Sequence, residues 1–259
     1  MQNSTISLLG DSTVRSIYCG LYRLLRGGEN FLLTSNEAQT VGCGKIKAKR
    51  GVHNFDAHGL TIEYVSTATI ADLRGVKTYF PIRKDKFTSG NGPLLEQLRS
   101  TIRFKKPLAI LLHSAGWEYR EIMLGNKLNK KIPNVIVDTI YSRNNRLMQE
   151  AMKDVFDVLS QENFNGRFIW RNPMCNTRYD SDSIANSAID DLVRGAGHAV
   201  MDTFTLSRGR LDALWDGYHF DRPVEEPRNA ITGRYAHSEE INALVTTLFL
   251  NMLFNFANC

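Results

Sequence analysis

Cysteine is scarce in this 259-residue chain, and no two of its four cysteines stand in a C-x-x-C spacing, which argues against a structural zinc site. Cys19, Cys43, Cys175 and Cys259 permit two disulfides in any of three connectivities, or buried thiols. No segment recurs at a period of twenty to fifty residues and no stretch is long and polar enough to act as a linker, so repeat arrays and two-domain layouts drop out. A basic n-region is missing ahead of residue 5, and the apolar run Ile6 to Leu9 is too short for a signal peptide. A membrane span is missing too. In the most apolar stretch, Ile241 to Ala257, residues Ile241, Leu244, Val245, Leu248, Phe249, Met252, Leu253 and Phe256 form one stripe. Asn242, Thr246, Asn251, Asn255 and Asn258 gather opposite it, the pattern of a helix packed on a core.

The formal charge of +5 favours anionic partners. The densest basic run, Lys45-Ile46-Lys47-Ala48-Lys49-Arg50, has no interleaved aromatics and matches no nucleic-acid module, so it reads as a solvated loop. The sequon Asn3-Ser4-Thr5 lies directly before a predicted core strand, a poor place for a glycan. Compartment stays open: the secretory lumen or extracellular space for a trimmed domain, the cytoplasm otherwise.

With 42% hydrophobic residues the chain can bury one sizeable core, so a single domain over 1–259 is expected. Thr5 to Leu9, Leu108 to Leu112, Arg167 to Trp170 and Ala199 to Thr203 read as buried strands, with Ile62 to Val65 a weaker fifth. Helical patterns cover Val14 to Leu25, Gly92 to Arg103, Arg143 to Leu159 and Ser183 to Val193. Strands alternating with helices predict a three-layer α/β/α sandwich around a mainly parallel sheet. In such sheets ligands bind beyond the carboxyl ends of the strands.

The first strand ends at Leu9, and Gly10-Asp11-Ser12-Thr13-Val14-Arg15 leads at once into a helix. Ser12 therefore sits at a strand-to-helix turn with helix amides directed toward it, a position for a nucleophile, an anion site or simply an N-cap. A serine hydroxyl needs a base to take its proton and a third group to orient that base. Asp216-Gly217-Tyr218-His219, after the last predicted strand, places a carboxylate and an imidazole three residues apart around a glycine. A turn there brings both to the edge that holds Ser12.

Leu9-Gly10-Asp11-Ser12-Thr13-Val14-Arg15-Ser16-Ile17-Tyr18 resembles the opening block of the PC-esterase group in the GDSL/SGNH superfamily. Asp202-Thr203-Phe204 followed by Asp216-Gly217-Tyr218-His219-Phe220 resembles its closing block. Leu112-His113-Ser114-Ala115-Gly116-Trp117 is similar to its middle Asn-x-x-x-Trp segment. The resemblance implies an SGNH-hydrolase (flavodoxin-like) fold and an acyl-enzyme on Ser12, with His219 as base and Asp216 orienting it. It also implies an oxyanion hole begun by the Ser12 amide and completed by a glycine amide and an asparagine. The glycine position falls to Gly42 or Gly44, with no motif to separate them. Where the family has asparagine this chain has His113, either a replacement donor or a strand-end histidine bonded to backbone. Arg15 either contacts an oxyanion or carboxylated sugar or pairs with a surface acid, and Trp117 either lines the cleft or packs in the core.

The remaining conspicuous residues read as structural. His53 and His58 near Asp56 lack metal-ligand spacing. Asp202 ends a strand, His198 stands at that strand's other end, and His237 is too far from the Asp-Gly-x-His motif to be the base. No metal or cofactor is needed. Water attacking the acyl-enzyme gives an esterase and a sugar hydroxyl an O-acetyltransferase, so the implied partners are an acyl donor and a glycan acceptor, or an acetylated glycan. A binding or scaffold domain that keeps the fold without catalysis is the alternative.

Overall fold

The computed structural model describes residues 4–25, 52–67, 69–71, 94–114, 118–119, 121–122, 132–176, 182, 188–211 and 234–254, the side chains of 234–240 excepted. Strand β1 (Ser4–Gly10) pairs in parallel with β3 (Leu60–Ser66) on one side and β4 (Ala109–Leu112) on the other, Leu8 standing opposite Tyr64 and Leu111. Next come β5 (Arg167–Arg171) and β6 (Ala199–Met201), both parallel, while β2 (Val52–Ala57) closes the far edge antiparallel to β3. The sheet order is β2-β3-β1-β4-β5-β6.

Side-chain alternation along the strands builds the two outer layers. Ile6, Leu8, Ala109, Leu111 and Ile169 pack against α1 (Ser12–Leu25) and α6 (Arg234–Phe254). Leu9, Ile110, Leu112, Phe168 and Trp170 face the other way, against α2 (Leu94–Lys105), α3 (Asn134–Gln161) and α4 (Ile189–Gly195). A parallel sheet covered on both faces needs apolar side chains at every position, which is why its strands read as unbroken apolar runs. Each fully buried leucine contributes about 1.5–3 kcal/mol. The architecture is the predicted three-layer α/β/α sandwich.

Several elements differ from the sequence reading. Strand β2 was not expected, because only Phe55 of its six residues is buried and an edge strand carries little apolar signal. Strand β6 stops at Met201, since Asp202 caps the short helix α5 (Thr203–Ser207) by accepting the Thr205 amide at 3.0 Å. Helix α3 begins at Asn134 rather than Arg143, just after Pro133, whose carbonyl accepts the Ile136 and Val137 amides. Cys19 is disulfide-bonded and Cys175 carries a free thiol. Among the described residues no helix is long and apolar enough to cross a membrane.

The largest correction concerns α6. Asn242 and Thr246, placed on the polar side by the stripe, are buried at 7% and 0% exposure, whereas Leu244 is 50% exposed. The reason is a close helix contact. Gly20 of α1 lies against Thr246, and a Cβ built there would stand 2.4 Å from Thr246 Oγ1. That hydroxyl turns inward and donates to the Asn242 carbonyl, and Asn242 Nδ2 donates to the Ser16 carbonyl, so both polar groups are satisfied inside. Gly20→Ala is therefore expected to destabilise by about 1–3 kcal/mol through overpacking, opposite in sign to the gain alanine brings to an open helix position. Thermal melts of Gly20→Ala and of Gly20→Ala/Thr246→Ala check this, with partial recovery expected in the second.

Candidate active site

Connections from β1 run to β3 on one side and onward to β4 on the other, which leaves a crevice beyond the carboxyl end of β1. Ser12 stands at that end of the strand, half-buried in the first turn of α1. The turn is tight because residue 10 is glycine: a Cβ there would lie 2.4 Å from Val14 Cγ2 and 3.0 Å from the His113 carbonyl. Asp11 caps this helix start. Asp11 Oδ1 accepts the Thr13 amide at 2.8 Å, and its carbonyl accepts the Val14 and Arg15 amides, each at 3.2 Å. Tyr64 Oη donates to the Asp11 carbonyl at 3.1 Å, and burial pushes this phenol up to about 12, so it stays a donor.

Behind Ser12 lies a buried polar cluster. Asp11 is 3% exposed, His113 2% and Arg171 0%. Arg171 Nη1 donates to Thr13 Oγ1 at 2.7 Å, and Thr13 Oγ1 donates to Asp11 Oδ1 at 2.7 Å. His113 Nδ1 lies 2.9 Å from the Arg171 carbonyl, which can only accept, so the ring proton resides on Nδ1. Burial, with the Arg171 charge adding to it, lowers this imidazole to about 4 despite the Asp11 carboxylate. Neutral and so oriented, His113 keeps a lone pair on Nε2, 4.0 Å from Asp11 Oδ1, and has no second N–H for an oxyanion. The backbone-bonded alternative matches this geometry.

The exits of β3 and β4 meet beside this cluster. The Ile70 amide donates to Glu118 Oε1 at 2.9 Å and to Ser114 Oγ at 3.1 Å, and Ser114 Oγ donates to Glu118 Oε1. Glu118 is 2% exposed, and burial raises its carboxyl from the ordinary 4.5 to about 7. The unfolded chain releases this proton near pH 4.5 and the folded one near 7, so stability falls as pH rises through that window, by about 3 kcal/mol. His113 acts in the opposite sense, its folded value lying below the unfolded 6.5, so its contribution rises between pH 4 and 6.5. The two offset one another in the wild type. Glu118→Gln removes only the first, so relative to wild type it is expected to gain about 3 kcal/mol between pH 4.5 and 7.5 in urea denaturation. An unchanged difference between the two proteins across that range would refute it.

Of the residues singled out in the sequence, Ser12, Arg15 and His113 meet at this edge, with Arg15 half-buried one turn beyond Ser12. Asp216, His219, Gly42, Gly44 and Trp117 lie outside the described residues, and His237 is on α6 where side chains are not described. Asp202 accepts from Asn172 Nδ2 at 2.9 Å as well as capping α5. Its own burial is outweighed by these hydrogen bonds, which hold it below the usual carboxylate range. His53 stacks on Tyr64, His58 Nε2 bonds the Leu25 carbonyl, and Asp56 accepts from Thr61, so the three point to separate partners. His198 packs between Phe156 and Phe168.

Sequence reasoning passed over Asp11, Thr13, Arg171 and Glu118. A signal existed for one of them: Arg171 ends the otherwise apolar run Phe168-Ile169-Trp170 at the edge that holds the crevice. Two cavities lined by described residues, of about 400 and 570 Å3, open near Leu108, Gly166 and Arg167 at the opposite edge of the sheet.

No family model matches the chain, and no curated protein matches it. Among solved structures it is similar to a protein from Parabacteroides merdae that carries the provisional name GDSL-like lipase, with 12% identity and a TM-score of 0.41 over 95% of this chain and 97% of that one. The chemistry of the crevice rests on its own residues.

Proposed function

We propose that the chain performs acyl-ester chemistry through an acyl-enzyme on Ser12, with His219 as general base and Asp216 orienting it, acting on O-acetyl groups of a carbohydrate. The observation that carries this reading is the placement of Ser12 in the first turn of α1 at the carboxyl end of a central strand, with capping already supplied by Asp11.

In the proposed reaction Ser12 Oγ attacks the acyl carbonyl while its proton passes to His219, and the tetrahedral oxyanion gathers at the Ser12 amide beside the helix N-terminus. The leaving alkoxide takes the proton from His219. Water then regenerates Ser12 with release of acetate, or a sugar hydroxyl takes the acetyl group. Gly42 or Gly44 remains the candidate for a second oxyanion amide, and Arg15 and Trp117 for the substrate wall. The similarity of residues 9–18 and 202–220 to the PC-esterase group supports the carbohydrate assignment. The reading takes 1–259 as one catalytic domain that uses no cofactor.

One observation favours a second reading, a binding domain without catalysis. Where the family has an asparagine donor, His113 in its Nδ1–H form has none to give. The two readings separate on p-nitrophenyl acetate: turnover with an acetyl adduct on Ser12 by intact mass, both lost in Ser12→Ala, supports the enzyme. Equal background rates and no adduct in both proteins support the binding domain.

A further inference from the structure

One buried guanidinium holds Thr13 directly and Asp11 through the Thr13 hydroxyl. Arg171, at the end of β5 and fully out of solvent, reaches across to α1 and donates to Thr13 Oγ1 at 2.7 Å. The hydroxyl has a single proton, and it goes to Asp11 Oδ1. A hydroxyl that accepts from a cation and donates to a carboxylate is fixed at both ends. Because the same Oδ1 also takes the Thr13 amide, residues 11 and 13 are closed into one ring around Ser12.

The charge of Arg171 matters as well as its hydrogen bond. His113 Nε2 is 4.0 Å from Asp11 Oδ1, and a protonated imidazole there would compete for the carboxylate and draw it from Thr13. The adjacent guanidinium opposes that protonation and so protects the ring. Stability alone is a poor reason for such an arrangement, since a buried ion pair seldom outperforms apolar packing of the same volume.

We propose that Arg171 is a positioning residue for Ser12, acting through the Thr13 hydroxyl and the Asp11 carboxylate to hold the Ser12 hydroxyl and amide where acyl transfer requires them. The proposal rests on the acyl-enzyme reading of Ser12. It predicts that deleting the relay lowers kcat with little change in KM, because substrate contacts stay in place while the nucleophile drifts. A displacement on the order of 1 Å costs about 100-fold in rate.

The test compares wild type, Ser12→Ala, Thr13→Val, Thr13→Ser, Arg171→Met and Arg171→Met/Thr13→Val on p-nitrophenyl acetate from pH 5 to 9, each with a thermal melt. Thr13→Val keeps the side-chain shape and removes only the relay hydroxyl, so it decides the matter if Arg171→Met fails to fold. Expected are a kcat loss of about 30- to 100-fold in Thr13→Val and recovery to within about three-fold of wild type in Thr13→Ser. The double variant falls no further than either single one, as for residues acting in series. Wild-type kcat in Thr13→Val, or additive losses in the double variant, would overturn the positioning role while leaving Ser12 as nucleophile. A wild type without Ser12-dependent turnover would overturn the acyl-enzyme reading and this proposal with it.

Discussion

Ser12→Ala is expected, under the proposed acyl-enzyme mechanism, to lower acetyl-ester turnover by about 10^5- to 10^6-fold, the scale seen when the nucleophile is removed from a serine triad. Alanine leaves no oxygen to be acylated, so whatever rate remains comes from polarisation of the carbonyl at the Ser12 amide and from binding. His219→Ala is expected to match it, since an unactivated hydroxyl is nearly as inert as none, and the double variant to show no further loss. Asp216→Ala is expected to retain about 10- to 100-fold more activity than either, because a base without its orienting carboxylate still samples the productive tautomer. Burst kinetics with a chromogenic acetate, read beside intact mass, measure all four proteins. Additive losses in Ser12→Ala/His219→Ala would break the unit that the mechanism requires.

Asp11→Ala is expected to reduce the unfolding free energy by about 3–5 kcal/mol, the cost of leaving one partner of a buried ionic cluster without the other. Three effects combine. The first turn of α1 loses its side-chain acceptor for the Thr13 amide, Thr13 Oγ1 loses the oxygen that takes its proton, and Arg171 loses the carboxylate to which Thr13 Oγ1 links it. Against a total of about 5–15 kcal/mol for a folded domain, such a loss is large, and it corresponds to a fall in Tm of about 10 °C. Asp11→Asn keeps an oxygen for the cap but removes the charge, so it is expected to fall between alanine and wild type. Urea denaturation at pH 7 measures both. A loss under about 1 kcal/mol in Asp11→Ala would mean that the cluster is electrostatically satisfied without this carboxylate.

Much of the fold was legible in local pattern. The apolar runs Ile6 to Leu9, Leu108 to Leu112 and Arg167 to Trp170 became β1, β4 and β5, because a strand buried on both faces has nowhere to put polar side chains. Edges were harder to read. Strand β2 buries one residue in six and left no periodic signal, and β6 yielded its last residues to the cap of α5. On α6 the stripe placed Leu244 inside and Thr246 outside, but the close approach of Gly20 decided the rotation, and no periodicity within one helix contains the shape of its neighbour.

The same division runs through the candidate site. By itself the sequence determined the strand-to-helix turn at Gly10-Asp11-Ser12, because a strand ending at a glycine that is followed by a capping residue is a local event governed by backbone sterics and the free amides of a helix start. Only the tertiary structure decided which residues stand behind it. Arg171 is 158 positions from Thr13 in the chain and reaches it because β4 and β5 lie side by side next to β1, a consequence of sheet order. His113 likewise received its tautomer from the carbonyl of a strand that follows it by dozens of residues. Local physics set where the candidate site sits, and long-range packing set the charge, tautomer and rigidity of what surrounds it.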